Sequence, residues 1–265
     1  MAGVCFGIVT MASAETDTVA NRDADTAPVA SRASGRSTKA SRVPTYGDMI
    51  RSWHTVPSDG PALTPEGRAL LVFEILNTEE RIELSPVRDD GGWSEEDLER
   101  ASHALRDPRN NQEKTIDARV FDLAYRVQVH FQVNALRVVS CYRRGRSKHG
   151  KGRAIDIVVP GARDEEVARF ARSFGFVGVG LYPRSGFVHL DTRPRSYFWV
   201  DSSGPGQKSR SVQVFGKVGE DADARAVERG ETPPVFTGEE GGTAGDDAEG
   251  AIKASDSDSS KGRSR

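Results

Sequence analysis

The sequence predicts an α+β fold in which helices cover one face of an antiparallel sheet. Segments with helical periodicity lead the core of the chain, and short apolar segments that alternate like strands follow them. Several of these strands come in pairs around short polar turns, as in hairpins. Helices combined with antiparallel hairpins are typical of α+β domains. Because the composition of the 265 residues changes sharply toward both ends, we expect one folded core of roughly 150 residues.

The N-terminal residues predict export. Residues 1–14 are small and apolar, and Ala12 to Ala14 form a plausible signal-peptidase site, although no positively charged segment precedes them. The alternative is a disordered apolar N-terminus. Residues 15–44 contain Thr, Ala, Ser, Asp and Arg with hardly an apolar cluster, so we expect a disordered linker.

The two cysteines and the hydropathy of the later chain refine this expectation. Cys5 lies in the leader and Cys141 in the core, so the mature chain would have no partner for an intramolecular disulfide. No stretch after the leader approaches the length of a transmembrane helix. We therefore expect a soluble periplasmic protein, and a monomer.

Four elements are predicted in the first half of the core. Two β-prone runs, 69–76 and 81–84, flank a short polar turn and predict a hairpin. Ser94 is followed by acidic residues and predicts the start of a helix that continues to about residue 105. Asp117 likewise predicts the start of a helix that ends near residue 131. The apolar run 135–140 then predicts a buried strand.

The second half of the core continues this pattern. A strand is predicted over 154–159, a helix over 163–174 that Gly175 ends, and a hairpin formed by 177–182 and 186–192. The folded domain is thereby expected to span residues 45–205. Residues 206–265 are rich in Gly, Ser, Asp, Glu and Lys, and we expect a disordered tail.

A candidate metal site follows from an unusual aspartate in the strand 154–159. Alternation places Ala154, Asp156 and Val158 on one face, which aims the carboxylate into the protein interior unless a cation meets it. His149 stands seven residues earlier, at the end of a loop rich in Gly and Arg. A zinc ion is one cation that would satisfy such a carboxylate.

The later strand 186–192 also places ionisable side chains on one face. His189 and Asp191 share one face, so an imidazole and a carboxylate project side by side. Two neutral imidazoles and one carboxylate give zinc three protein ligands and leave a position for water, as in catalytic sites. We therefore predict zinc ligands at His149, Asp156 and His189.

Each of these assignments has an alternative. Asp156 could form a buried salt bridge with Arg153 or Arg143 instead of holding a metal. The remaining histidines lie outside either motif, and we interpret them as structural or solvated. They are His54, His103 and His130.

Two motifs together resemble a known family. The first runs from Ser147 to Asp156 with the spacing S-x-H-x-x-G-x-A-x-D, and the second runs from Gly178 to Asp191. Ser140-x-Tyr142-Arg143 and the segment 197–201 add to the similarity, which spans roughly residues 65–205. The chain thus resembles the YcbK-like branch of the zinc D-Ala-D-Ala carboxypeptidase and murein endopeptidase superfamily, whose fold is shared with the hedgehog signalling domain.

The resemblance implies zinc bound by His149, Asp156 and His189, and hydrolysis of peptide bonds in peptidoglycan. Many relatives carry a general base two or three residues before the last ligand, whereas this chain has Gly186 and Phe187 there. The base is therefore unassigned, and Asp191 is the nearest candidate, either as the base or as the partner that holds the ring of His189.

Residues close to the first motif are candidates for meeting the substrate. Arg143 either binds a substrate carboxylate or polarised carbonyl through its planar fork, or it positions the loop. We predict substrate contacts for Arg143, Tyr142 and Ser147. Tyr142 and Trp199 are interpreted as core or cleft wall rather than as catalytic groups.

Two classes of function remain compatible with these residues. The first is a zinc peptidase that cuts cross-links or stem peptides of the cell wall, with a dipeptidase acting on free D-Ala-D-Ala as a variant. The second is a catalytically silent, zinc-containing wall-binding module that has lost its base, as Gly186 permits. A net charge of −2 gives no reason to expect nucleic-acid binding.

Overall fold

The computed structural model describes residues 44–57 and 60–236. The predicted leader and nearly all of the predicted linker lie outside this range. The helices of the described residues are α1 (Tyr46–Trp53), α2 (Glu95–Ala104), α3 (Ala118–Phe131), α4 (Asp164–Ala171) and α5 (Gly216–Glu228). The strands are β1 (Leu71–Ile75), β2 (Glu80–Leu84), β3 (Leu136–Ser140), β4 (Ala154–Val158), β5 (Val177–Tyr182), β6 (Phe187–Thr192), β7 (Tyr197–Asp201) and β8 (Ser211–Gln213). A short 3-10 turn, His149–Lys151, precedes β4.

The strands form one sheet in the order β2-β1-β3-β4-β6-β5-β7-β8. The α+β class is confirmed, but the sheet is mixed and not purely antiparallel. Strand β3 pairs with β1 in parallel, and β7 pairs with β5 in parallel. Alternation along the chain identifies strands but does not say which strands become neighbours, so the prediction missed these two crossovers.

The two faces of the sheet have different roles. One face carries the main core, in which Ile155 of β4 and Leu190 of β6 pack with buried side chains of α2, α3 and α4. The other face carries a smaller cluster that includes Val158 and Phe187, with Trp53 of α1 packed against it. Because Asp156 alternates with Ile155, the candidate ligands project from the face opposite the main core.

The predicted hairpins and helix starts agree with the structure. Strands β1 and β2 pair in an antiparallel hairpin, and so do β5 and β6. The Ser94 hydroxyl accepts a hydrogen bond from the Asp97 N–H at 3.1 Å, and an Asp117 carboxylate oxygen accepts one from the Arg119 N–H at 3.1 Å. Both side chains thus satisfy amides that a helix start leaves unpaired.

The structure differs from expectation in residues 206–236, which we predicted to be disordered. Strand β8 pairs with β7, and α5 packs through its buried Ala222 and Ala226. The Asp223 carboxylate also accepts hydrogen bonds from the Phe176 and Ser196 N–H groups at 2.7 and 2.8 Å. Small side chains and polar anchors hold this helix, so its low content of large apolar residues was misleading.

The predicted absence of a membrane span can be compared with the helices themselves. Of the helices in the described part of the chain, none combines the length and apolar character that crossing a bilayer requires.

Candidate metal centre

The candidate ligands converge from one loop and two neighbouring strands. Strands β4 and β6 are antiparallel, and their register places Asp156 directly opposite His189. His149 begins the 3-10 turn that leads into β4. One ligand atom from each of these three residues lies within 4.8 Å of the others, and all three side chains are buried. The structure therefore brings together the three residues that the sequence selected.

The loop before β4 folds tightly, and its glycines Gly150 and Gly152 permit this. Gly152 has a φ of +69° and donates its N–H to the His149 carbonyl, which closes the turn. A Cβ at Gly150 would lie 2.1 Å from the Gly145 carbonyl oxygen. The buried Ser147 hydroxyl accepts a 3.4 Å hydrogen bond from the Gly150 N–H. Ser147, predicted to meet the substrate, is placed where it supports the turn that carries His149.

The hydrogen bonds on the outer edge of each imidazole fix which nitrogen faces the site. His149 Nδ1 lies 2.6 Å from the Cys141 carbonyl oxygen, and because a carbonyl only accepts, Nδ1 carries the proton. His189 Nε2 lies 2.9 Å from Asp191 Oδ2. Burial alone would raise the pKa of Asp191. The Arg193 guanidinium and the His189 ring outweigh burial and lower this pKa to about 2. Asp191 is thus ionised and accepts the Nε2 proton of His189.

The two remaining nitrogens point at each other and at the same carboxylate oxygen. His149 Nε2 lies 3.1 Å from His189 Nδ1, and Asp156 Oδ1 lies 2.9 Å from His189 Nδ1 and 3.3 Å from His149 Nε2. Burial and the nearby Arg143 guanidinium lower the pKa of His149, which favours the neutral ring. Burial raises the pKa of Asp156, but the two histidines and Arg143 hold it well below its usual value.

This charge state creates a site that suits a cation. When both imidazoles are neutral, they and the carboxylate direct lone pairs toward a common centre, and without a proton or a cation these lone pairs repel one another. Two nitrogens and one oxygen are a ligand set that zinc accepts, and three protein ligands leave further coordination positions open. The donor set therefore fits zinc.

Asp191 lies behind His189, on the ring edge away from Asp156. Its two carboxylate oxygens accept a paired hydrogen bond from Arg193, with Nε to Oδ1 at 2.6 Å and Nη2 to Oδ2 at 2.5 Å. A Cβ on Gly178 of the adjacent strand would lie 2.2 Å from both Asp191 Oδ2 and Arg193 Nε. Only glycine at this position leaves room for the ion pair.

Arg193 was not selected from the sequence. It lies two residues after Asp191 and four after His189, so the alternation that joined those two residues extends to it. Its guanidinium also lies 5.0 Å from the centre of the Trp199 ring, which itself lies 5.1 Å from the ring of His189. Trp199 is fully buried and donates its indole N–H to the Tyr182 hydroxyl at 3.0 Å, as expected for a wall residue.

Arg143 lies beside the outer oxygen of Asp156. Its Nη1 donates to Asp156 Oδ2 at 3.3 Å and to the Ser140 hydroxyl at 3.0 Å. The salt bridge considered as an alternative to metal binding is present, but it uses the oxygen that the histidines do not. Tyr142 packs against the main core, on the other face of the sheet.

The other histidines lie outside the cluster, as expected. His103 pairs with Glu113 at 2.7 Å, His130 stacks on Phe170, and His54 lies 3.7 Å from Asp164. The positions where relatives carry a base hold no ionisable group. Gly186 has a φ of +70° and faces Ile50, and Phe187 stacks on Tyr182.

Comparisons with known proteins give a consistent result. The family model Peptidase_M15_2, described as peptidoglycan L,D-endopeptidase MepK, matches residues 62–197. Peptidoglycan L,D-endopeptidase MepK of Escherichia coli K12 is 34% identical over 158 residues, which cover 54% of this chain and 86% of the relative. The probable peptidoglycan L,D-endopeptidase MepK of Haemophilus influenzae is 35% identical over 150 residues, covering 49% and 78%. No solved structure matches significantly.

Proposed function

The chain belongs to the Peptidase_M15_2 family, and we therefore propose that it is a peptidase that hydrolyses peptide bonds in peptidoglycan with a zinc ion held by His149, Asp156 and His189. The observation that carries the metal assignment is the convergence of two imidazole lone pairs and one carboxylate oxygen within 4.8 Å. Zinc, when bound, supplies Lewis acidity that polarises a peptide carbonyl and makes water a nucleophile near neutral pH.

The protein's own groups orient these three ligands. The Cys141 carbonyl and the Asp191 carboxylate each hold the outer nitrogen of one imidazole, at 2.6 and 2.9 Å. Such partners set the tautomer and the ring orientation of ligand histidines. Arg143 holds the second oxygen of Asp156, so Oδ1 stays directed toward the histidines. A substrate contact by Arg143 remains part of the proposal because guanidinium groups suit carboxylates and polarised carbonyls.

Asp191 is better suited to positioning His189 than to acting as the general base. It is fully buried, both of its oxygens bond to Arg193, and its pKa of about 2 makes it a weak proton acceptor near neutrality. We therefore assign it the role of holding the His189 ring. With this assignment, a group other than Asp191 acts as the general base.

The relatives support a proposal for the type of bond, and the N-terminal sequence supports one for the location. The two relatives are named as L,D-endopeptidases, and we propose cleavage of an L,D peptide bond within peptidoglycan. Peptidoglycan lies outside the cytoplasmic membrane, and an apolar N-terminal segment with a plausible cleavage site supports export to the periplasm.

The test is hydrolysis of purified peptidoglycan by the zinc-loaded full chain, followed by mass spectrometry of the muropeptides. We expect cross-linked species to be converted to smaller products, and the masses identify the bond that is cut. Asp156→Ala should lose both stoichiometric zinc and activity, whereas His103→Ala, a histidine outside the cluster, should keep both. Stoichiometric zinc with unchanged peptidoglycan would instead establish the silent wall-binding module.

A further inference from the structure

We propose that a second cavity, on the helical side of the sheet, is a binding site for an oxyanion group such as a carboxylate or a phosphate. The cavity has a volume of about 600 Å³. Its floor is one face of α3, and residues 229–234, which follow α5, form a wall. Ligand pockets typically measure about 300–1,000 Å³, so the size suits a small molecule or a side group of a larger one.

Two arginines of α3 contribute positive charge to the lining of the cavity. Arg119 and Arg126 are seven residues apart, which places them on the same helix face. Within the described residues, neither guanidinium has a hydrogen-bond or ion-pair partner. Burial lowers the pKa of Arg126, although the nearby carboxylates Glu231, Asp122 and Asp90 act in the opposite direction.

The orientation of Arg126 favours a planar anion. Its guanidinium carbon lies 3.9 Å from the centre of the Phe174 ring, so the ring supports one face of the group. The N–H groups at the edge are then directed to the sides, where they match the two oxygens of a carboxylate or phosphate. The Phe174 ring thus holds the Arg126 guanidinium in an orientation in which its N–H groups can meet an anion.

The acidic residues around the cavity are already engaged. Asp90 pairs with Arg88 at 2.9 Å, and Glu231 pairs with Arg229 at 2.8 Å. Asp122 accepts hydrogen bonds from the Trp93 indole at 2.8 Å and from a backbone amide at 3.0 Å. Among the described residues, none of these carboxylates forms an ion pair with Arg119 or Arg126, and the cavity lining holds four arginines against three carboxylates.

The cavity is separate from the metal centre. Thr192 lines it, and the Thr192 hydroxyl points toward Asp117 at the start of α3. Asp191, the preceding residue, projects from the opposite face of the strand toward His189. Residues 229–234 also lie beyond residues 62–197, which the family model matches. The inference therefore does not depend on the proposed peptidase activity.

The test is a titration of the isotopically labelled full chain with inorganic phosphate and, separately, with succinate. The readout is the NMR signal of the arginine Nε–H groups. We expect a saturable shift of the Arg126 signal, and an apparent Kd at least tenfold higher in Arg126→Gln. The control is Arg184→Gln, which removes an exposed arginine from the turn between β5 and β6. This change should leave the Kd unaltered.

The two probes distinguish the sources of the anion, since saturation by phosphate alone indicates phosphate groups and saturation by succinate alone indicates carboxylates. Arg119→Gln changes an exposed side chain and so tests the site even if Arg126→Gln folds poorly. Shifts that grow linearly without saturation, or that are equal in the variants and the wild type, would overturn the proposal.

Discussion

Asp191 bonds to His189 on the ring edge opposite Asp156, with Oδ2 2.9 Å from Nε2, while Nδ1 of the same ring lies 2.9 Å from Asp156 Oδ1. One imidazole thus links two buried carboxylates with different roles. Asp156 faces the proposed metal position, and Asp191 holds the ring from behind. This geometry supports the positioning role that we propose for Asp191.

Asp191→Asn is expected to weaken zinc binding together with activity. An amide can still accept the Nε2 proton, but its NH₂ group then faces the N–H donors of Arg193 and the ion pair is lost. Loss of such a supporting partner typically lowers metal affinity about 10- to 100-fold. Competition with a zinc chelator measures the affinity. Full zinc affinity combined with lost turnover would show that Asp191 is the base.

Arg193→Met should destabilise the protein and loosen the metal centre. The substitution leaves the Asp191 carboxylate buried without its cation, and breaking a buried pair in this way costs about 3–5 kcal/mol. Urea unfolding and zinc affinity should both report the change, and Arg193→Lys should fall between Met and the wild type because it keeps the charge but not the fork. The matched control is Arg195→Met, an exposed arginine two residues away, which should match the wild type.

Asp164 should make stability depend on pH. Its pKa is raised to about 6, chiefly by burial, and within the described residues its Oδ1 lacks a hydrogen-bond partner. The folded state therefore keeps this proton to higher pH than the unfolded state, so the contribution to stability falls as pH rises from about 4 to 6 and is constant above. Because burial raises this pKa by about two units, the ionised Asp164 lowers the free energy of unfolding by up to about 3 kcal/mol at pH 7.5.

Asp164→Asn removes that cost and should be more stable than the wild type at pH 7.5. The measurement is the free energy of unfolding of both proteins between pH 4 and 8, and the difference between them should grow up to about pH 6. Asp90→Asn serves as a control because that side chain is 76% exposed. A difference that does not change with pH would contradict the role given to Asp164.

Removing β8 and α5 should lower the stability of the domain. A fragment of residues 44–205 loses the Asp223 carboxylate that satisfies the Phe176 and Ser196 amides, and it uncovers the surface on which Ala226 packs. A fragment of residues 44–236 should keep the melting temperature of the full chain, whereas 44–205 should melt several degrees lower. Equal melting temperatures would restore the boundary near residue 205 that composition suggested.

The sequence predicted local features more successfully than long-range ones. Asp156 was identifiable because a carboxylate on the buried side of a strand needs a cation, and the structure indeed surrounds it with His149, His189 and Arg143. Arg193 lies on the same strand face as His189 and Asp191, but it was not predicted as part of the site. An arginine that follows a strand is usually solvated. The missing information was that Gly178, on a neighbouring strand, leaves space for it.

The order of the strands in the sheet and the C-terminal helix α5 could not be predicted from the sequence. The parallel pairing of Phe73 with Leu136 depends on how α2 and α3, which lie between those strands in sequence, pack on the sheet, and no local pattern encodes this packing. Helix α5 is held by alanines and by the Asp223 carboxylate, so the composition of its segment resembles that of a disordered tail. Tertiary contacts decided both outcomes.

The mixed order of the sheet also fixes when the centre can first exist during folding. Strand β4 has the loop ligand His149 beside it in sequence, but its partner β6, which brings His189, follows only after α4 and β5 have been made. Strand β1 must likewise wait for β3. Distant pairings of this kind slow folding. The proposed zinc site therefore cannot have all three of its ligands until residue 189 has been synthesised.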